Sequence, residues 1–184
     1  MTTYDIRPIH AHEWPQTKAL RLVALQDPVA PIAYLDSYEE AAARDDAWWQ
    51  ERAAGSSVEA DRPAVRHFTA IARDDAGEET WVGSLVVLVE RTGETDYFDQ
   101  MITEDSAHVV GVYVHHDHRG AGLVDRLAEA GLAWARSLGL RRARLFVHHD
   151  NTRAQAAYRR LGFLPTGRTA TVPSGTELEM AREL

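Results

Sequence analysis

Two stretches of this sequence, about thirty residues apart, each run from an apolar strand into a helix. The first covers residues 109–122 and ends in a glycine-rich run at 119–122, and the second covers residues 145–163. The free amides and the positive dipole end at the start of a helix can bind an anion such as a phosphate. The two junctions therefore indicate a pyrophosphate-bearing cofactor held by strands that alternate with helices.

The rest of the chain continues this alternation. Strands are predicted at about 4–8, 65–72, 81–89, 108–114, 144–148, 164–171 and 177–183, and helices at about 12–26, 37–54, 120–138 and 152–161. Ser37 and Glu40 have the spacing of a capping box. In the acidic connection 91–107, Tyr97, Phe98, Met101 and Ile102 have the spacing of one helical turn. The pattern predicts an α/β or α+β fold with a mixed sheet.

Length and composition limit the classes of protein that fit. A chain of 184 residues suits one domain, 1–184, with a proper core. The longest apolar run, residues 85–89, is far too short to cross a membrane, and the N-terminus does not resemble a secretion signal. The absence of cysteine excludes disulfides and a cysteine nucleophile and favours the cytoplasm. A net charge of −8 argues against nonspecific nucleic-acid binding.

The glycine-rich run has little specificity by itself, because the pattern Arg-Gly-x-Gly also occurs in structural turns. It lacks the Gly-Lys-Ser/Thr of a P-loop and the three glycines of a dinucleotide fingerprint. The second stretch adds specificity. Asn151 predicts a helix N-cap and Gly162 its end, and Asn151, Ala154 and Tyr158 recur at a spacing that helix formation alone does not require.

In these segments the sequence resembles the GNAT superfamily of N-acetyltransferases, whose signature regions correspond to residues 108–124 and 145–163. The resemblance implies a mostly antiparallel, twisted sheet of about seven strands with about four flanking helices and splayed central strands. It implies an enzyme that moves an acetyl group from acetyl-CoA to a primary amine of a small molecule or protein, by direct attack on the thioester. The alternative is a non-catalytic acyl-CoA-binding sensor or partner-binding module.

The resemblance also implies where acetyl-CoA lies. Its pantetheine arm would run in the gap between the splayed strands, with the Val114 amide facing the thioester oxygen and the amides of residues 119–124 binding the pyrophosphate. The implied cofactor-binding residues are Val112, Tyr113, Val114, Arg119, Gly120, Ala121, Gly122, Leu123, Val124, Asn151, Ala154 and Tyr158. Val124 departs from the family pattern, which has glycine or alanine there, and its branched side chain could crowd the pyrophosphate.

Two residues are candidates for catalysis. An alkylamine with a pKa of about 10.4 is protonated at pH 7, and its neutral form costs about 4.6 kcal/mol. His108 stands where many relatives carry a catalytic glutamate, and an unperturbed histidine, with a pKa of about 6.5, suits a general base. An edge histidine without a catalytic role fits the pattern equally well. Tyr158 resembles the family's general acid for the CoA thiolate, although it could instead pack against Phe163.

The acceptor is the least constrained part. In the family it enters between loops that correspond here to residues 27–38 and 166–176, where Asp27 and Asp36 could bind an amine or merely be solvated. The connection 91–107 could shape the acceptor pocket or form a contact in a homodimer. The histidine clusters at 115–118 and 148–150 could bind a metal, but no metal is expected because their spacing is loose. The basic run 141–144 is interpreted as a solvated patch.

Overall fold

The computed structural model describes residues 2–61 and 63–184. Its strands form one sheet in the order β1-β2-β3-β4-β5-β7-β6. They are β1 (Thr3–Pro8), β2 (Val65–Arg73), β3 (Glu79–Glu90), β4 (Ser106–Val114), β5 (Arg142–His148), β6 (Leu164–Val172) and β7 (Gly175–Glu183). Neighbours are antiparallel except for β4 and β5. Within the described residues, the predicted mixed sheet of about seven strands is confirmed.

One of the predicted helices is divided into two in the structure. The helices are α1 (Trp14–Leu25), α2 (Tyr38–Ala42), α3 (Asp46–Ser56), α4 (Leu123–Ser137) and α5 (Thr152–Arg160). The single helix predicted over 37–54 is wrong, because Asp45 accepts a hydrogen bond from the Trp48 amide and starts a separate helix. The Ser37–Glu40 capping box is present at the start of α2. None of the helices in the described part of the chain has the length and apolar character needed to cross a membrane.

The connection between β3 and β4, residues 91–105, is a series of turns. The helical turn suggested by its apolar spacing does not form. Asp96 Oδ1 instead accepts the Phe98 and Gln100 amides at 2.9 and 3.0 Å and closes a turn. This turn stacks the Tyr97 ring on His108, with 5.1 Å between ring centroids.

The central strands β4 and β5 separate soon after they begin. In the described structure they pair at Ala107–Ala143 and His108–Arg144 and then diverge. A β-bulge bends β4 beyond these pairs, with Gly111 and Val112 opposite a single residue of β3, Leu85. Gly111 has φ 61°, a left-handed conformation that favours glycine. The predicted splay of the central strands is therefore present.

Helices cover both faces of the sheet. Helix α4 packs on one face, where Leu127 and Leu132 join the main buried core. On the other face, Tyr113 of β4 packs against Leu20 and Ala24 of α1. The alternation of side chains along β4 sends Val114 and Tyr113 to opposite faces, which explains why one strand serves both cores.

Gly131 allows α4 to lie close to the sheet. A Cβ at this position would lie 2.9 Å from both Leu85 Cδ2 and Val87 Cγ2. We expect Gly131→Ala to lower the free energy of unfolding by about 1–2 kcal/mol, because overpacking outweighs the gain in helix propensity. Urea denaturation measures the change. Gly55→Ala in α3, with open space around its Cβ, is the control. Equal changes in both variants would contradict the close contact.

A buried ionic cluster holds β5 to the rest of the sheet. The Arg144 guanidinium is 2.6 Å from Glu90 on β3, 2.8 Å from Asp96 in the connection and 2.8 Å from Glu179 on β7. Glu90 also lies 2.7 Å from His108 Nδ1. The prediction of a solvated basic patch is therefore wrong for Arg144, whose surface is only 5% exposed.

Candidate functional site

A cavity of about 190 Å³ occupies the gap between β4 and β5 and reaches the N-terminal ends of α4 and α5. Most of the predicted cofactor-binding positions line it. They are Val112, Tyr113, Val114, Arg119, Val124, Asn151, Ala154 and Tyr158. The remaining predicted positions, 120–123, form the adjacent loop and the first residue of α4. Residues from both sequence stretches are thus brought together around one gap.

The glycine-rich run forms an open loop in front of α4. Gly120 and Gly122 have φ 86° and 71°, and a Cβ at either position would meet nothing within 4 Å. Helix α4 begins at Leu123, later than the predicted Gly120. The Leu123 side chain is buried in the core. Because the first turn of a helix has amides without intrahelical partners, the start of α4 and the open loop before it can offer backbone amides to an anion.

The Arg119 side chain fastens this loop. Its Nε donates to the Val114 carbonyl oxygen at 3.0 Å, and its Nη2 pairs with the buried carboxylate of Asp27 after α1. The guanidinium is therefore committed to protein partners. Anion binding at this end depends on the amides that Arg119 positions.

The Val114 amide points into the gap. The His115 amide donates to the Val82 carbonyl of β3 at 2.8 Å. Main-chain groups of successive residues point to opposite edges of a strand, so those of Val114 point to the edge away from β3. That edge faces β5, which has already diverged. An N–H in this position can donate to a carbonyl oxygen that lies in the gap.

Tyr158 on α5 makes the packing contact that the sequence left as one alternative and also faces the gap, where the general-acid alternative would place it. Its ring lies edge-on to Phe163, with 6.3 Å between centroids, and it also lines the gap cavity. Its hydroxyl has no hydrogen-bond partner among the residues that the structure describes. Burial, with a contribution from Glu177, raises the pKa of Tyr158 to about 12. The phenol is therefore protonated at ordinary pH and free to donate.

His108 does not line the gap cavity. It is completely buried, with Nδ1 2.7 Å from Glu90 Oε1 and Nε2 3.2 Å from the Tyr97 hydroxyl. Tyr97 itself lines a second cavity. The Tyr97 hydroxyl therefore links His108 Nε2 to a residue that lines that cavity.

The second cavity, of about 530 Å³, lies between α1, α3 and the sheet and joins the first. Tyr34, Tyr113, Phe146 and Glu177 line both cavities. The Tyr34 hydroxyl donates to the Val112 carbonyl oxygen at 3.1 Å and so ties the loop after α1 to the bulged strand. A ligand in the gap cavity and a ligand in the second cavity would therefore meet at this junction.

Glu177 is the carboxylate at this junction, and the sequence did not single it out. It lies opposite His148 in the pairing of β7 with β5. Burial raises its pKa, and the neighbouring His148 and His149 oppose that rise. A charged residue at the start of a predicted strand was the available signal, but the pattern could not show which cavity it faces.

The predicted acceptor loops are partly reorganised. Asp27 and Asp36 already pair with arginines, Asp27 with Arg119 and Asp36 with Arg21. The loop predicted over 166–176 is a tight hairpin, because β6 extends to Val172 and β7 begins at Gly175. Residues 33–36 of the predicted loop 27–38 nevertheless line the second cavity, together with α1, α3 and residues 97–98 of the connection.

Two histidine clusters have side chains close enough to share a metal. The ligand atoms of His115, His116 and Asp117 lie within 4.8 Å of one another, as do those of residues 148–150. Within the second cluster, His148 Nε2 also lies 3.0 Å from the Ser174 carbonyl oxygen. That neither cluster binds a metal stays a prediction.

Comparison with known proteins agrees with this geometry. The model of the acetyltransferase (GNAT) family matches residues 18–163. A mycothiol acetyltransferase of Salinispora tropica is 31% identical over 159 residues, which cover 82% of this chain and 50% of that protein. The chain spans about half the length of the curated relatives it matches, 40% of one and 50% of another.

Solved structures of low identity share the fold. An acetyltransferase of the GNAT family from Streptococcus pneumoniae has a TM-score of 0.73 and 17% identity, and the match covers 99% of this chain and 100% of that one. Arabidopsis thaliana NAA60, in complex with acetyl-CoA, has a TM-score of 0.68 and 14% identity, with 99% of each chain covered.

Proposed function

The chain belongs to the acetyltransferase (GNAT) family, and from this premise we propose that it transfers the acetyl group of acetyl-CoA to a primary amine. The observation that carries the proposal is the gap between β4 and β5. It leads from an open amide-rich loop, past the Val114 amide, to the Tyr158 hydroxyl, which has no hydrogen-bond partner among the described residues. A long thioester with a pyrophosphate at its far end matches that series of groups.

In this proposal acetyl-CoA lies along β4. The pyrophosphate is bound by the amides of residues 120–124, because the Arg119 amide already donates to the His116 carbonyl oxygen at 3.4 Å. The pantetheine arm passes Val112 and Tyr113, with Asn151 and Ala154 on its other side. Asn151 Oδ1 accepts the Ala154 amide at 3.1 Å, which keeps the start of α5 in place beside the arm.

Two groups act on the thioester. The Val114 amide donates to the carbonyl oxygen as negative charge develops on it. The Tyr158 hydroxyl donates to the sulfur as CoA leaves, and its raised pKa ensures that the proton is present. The amine attacks directly, so no covalent enzyme intermediate is needed.

The amine must lose a proton before or during attack. Glu177 lines both cavities. Its pKa is raised, which brings it closer to the pKa that suits a general base near neutral pH. We propose that Glu177 faces the amine and accepts its proton. His108 contributes to this proton removal through the hydroxyl of Tyr97. Glu90 holds His108 for this role by its 2.7 Å contact with Nδ1.

Four expectations from the sequence remain predictions. They are the boundaries of the single domain, the cytoplasmic location, the homodimer and the absence of a metal. The chemistry proposed above depends on none of them.

A titration of the purified protein with acetyl-CoA tests the proposal. We expect micromolar, near one-to-one binding by calorimetry and release of CoA in the presence of a suitable amine.

Val124 lines the gap beside the amide loop, and we expect Val124→Gly to bind acetyl-CoA as well as the wild type or better. A clear loss of affinity in Val124→Gly would mean that this position does not crowd the pyrophosphate.

Two results with the wild-type protein would count against the proposal. Binding without turnover across a broad amine panel would favour a non-catalytic sensor, and no binding at millimolar acetyl-CoA would refute the proposal.

A further inference from the structure

The wall of the second cavity formed by α1–α3 carries an excess of positive charge. Arg21, Arg44 and Arg52 line it, against a single carboxylate, Asp36. Glu177, the other carboxylate of this cavity, lies at its junction with the gap. The whole chain has a net charge of −8, so this local excess of cations departs from the average surface.

The charges in this wall do not balance. Asp36 is shared, because it pairs with Arg21 and also lies 3.7 Å from Arg44 Nη1. The Arg52 guanidinium has neither a carboxylate nor a hydrogen-bond acceptor within residues 2–61 and 63–184. It lies against the Trp48 ring, 5.3 Å from its centroid, and Arg44 contacts the same ring at 4.1 Å.

Arg52 therefore experiences repulsion from Arg21 and Arg44 that the protein only partly relieves. Burial by the surrounding protein, followed by the charges of Arg21 and Arg44, lowers its pKa, and Asp36 only partly opposes this. Burial, with Arg52 and Arg21, also lowers the pKa of His67 to about 3, so that imidazole is neutral. Because Arg52 is nonetheless exposed at the cavity wall, a ligand can reach it.

An oxyanion would satisfy these groups. A carboxylate or phosphate can accept two parallel N–H bonds from one guanidinium, and it would offset the repulsion among all three. The cavity's volume of about 530 Å³ is in the range that small-molecule ligands occupy. At the junction with the gap, the carboxylate of Glu177 suits an amine.

The geometry points to Arg52, supported by Arg21 and Arg44, as the binding site for an oxyanion on the acceptor. The acceptor is then an amine that also carries a carboxylate or a phosphate, such as an amino acid, a short peptide with a free C-terminus or a phosphorylated amine. This inference rests on the proposed function, since it names the class of amine that the second cavity receives.

Matched pairs of amines test the inference by kinetics. Phenylalanine and glycylglycine are compared with their C-terminal amides, and phosphoethanolamine with ethanolamine, by CoA release. We expect at least one anionic member to have a kcat/KM roughly 10-fold or more above its neutral partner. Arg52→Gln should lower the kcat/KM of that anionic member roughly 10- to 100-fold, mainly by raising KM. The kcat/KM of its neutral partner should stay the same. Arg52→Lys should restore part of the loss.

The control is Arg141→Gln, an exposed arginine outside both cavities, which should leave both members of each pair unchanged. Equal use of acid and amide by the wild type in all pairs would overturn the inference. So would an Arg52→Gln variant that loses both members of a pair equally, since a role in packing alone predicts that result.

Direct titration separates this inference from the proposed function. The same pairs are titrated into protein saturated with CoA, and into protein alone if CoA does not bind. Tighter binding of an anionic member that is lost in Arg52→Gln supports the oxyanion site, whether or not acetylation occurs. If no anionic member binds more tightly than its neutral partner, the inference fails even where an amine is acetylated.

Discussion

Tyr158→Phe is expected to lower kcat for acetyl transfer by roughly 10² to 10⁴ and to leave acetyl-CoA affinity nearly unchanged. The substitution removes one hydroxyl and keeps the ring. Because the ring packs edge-on against Phe163, the fold should tolerate the change. The loss corresponds to about 2.7–5.5 kcal/mol of transition-state stabilisation.

The size of this effect follows from the isolation of the hydroxyl. It has no hydrogen-bond partner among the described residues, and its pKa is raised to about 12, so no other interaction competes for its proton. The phenol that departing CoA meets is therefore neutral throughout the pH range in which the protein would work. A phenylalanine leaves the thiolate to depart without a donor.

Steady-state kinetics of CoA release, with the acetyl-CoA dissociation constant from calorimetry, measures both quantities. Tyr4→Phe on β1 is the matched control, because it removes a phenol hydroxyl that lines neither cavity. Its kcat should stay within about 2-fold of the wild type, as expected for a site that does not contact the reacting groups. An unchanged kcat in Tyr158→Phe would remove this residue from the mechanism.

The second large effect concerns stability. Arg144→Gln is expected to lower the free energy of unfolding at pH 7 by about 3–5 kcal/mol, because it removes one partner of a buried ionic cluster. Glu90, Asp96 and Glu179 would remain in a buried site without the cation that contacts all three. Glutamine is of similar length but brings one amide in place of a charged fork.

The penalty should depend on pH. In the wild type, burial opposes ionisation of Glu90, but hydrogen bonds from His108 and Arg144 outweigh it and lower the pKa to about 2. A lowered pKa contributes stability above the ordinary carboxyl pKa of about 4.3, and this stability is lost as pH falls toward 2. In Arg144→Gln much of that contribution is already absent. The difference between variant and wild type should therefore shrink as pH falls from about 5 to 3.

Urea denaturation at pH 7 and at pH 4 measures the difference. Arg141→Gln, three residues earlier and exposed, should change stability by no more than about 0.5 kcal/mol. A similar small change in Arg144→Gln would show that the three carboxylates are protonated or hydrated in the folded protein. Arg144→Lys should fall between the two, because an ammonium keeps the charge but not the three-way geometry.

Much of the fold could be predicted from local pattern. The strand and helix positions follow from side-chain periodicity and from local signals such as the Ser37–Glu40 capping box, which is present. Asp45 shows the limit, because either a continued helix or a new N-cap was compatible with the residues around it. In residues 91–105, the Asp96 side chain competes with the helix for backbone amides, and apolar spacing does not reveal that competition.

The site divides in the same way. Residues 112–124 and 151–158 are close in sequence to the features that signal them, and the structure gathers most of them around one gap. Glu177, Tyr97 and Arg52 reach the acceptor side from distant segments, so their importance depends on tertiary packing. The position of His108 on the strand makes it a candidate, yet its burial behind Tyr97 depends on the turn in the connection.

The separation of β4 from β5 gives the sheet a pair of interior edges. An unpaired strand edge commonly recruits another extended chain through its main-chain N–H and C=O groups. Here the cavity in the gap has a volume of about 190 Å³ and runs along β4, which suits a narrow, extended guest. A molecule that fits would be recognised chiefly by backbone atoms, as an added strand would be. Affinity of that kind survives replacement of most side chains along the gap, since substitutions leave the peptide groups in place.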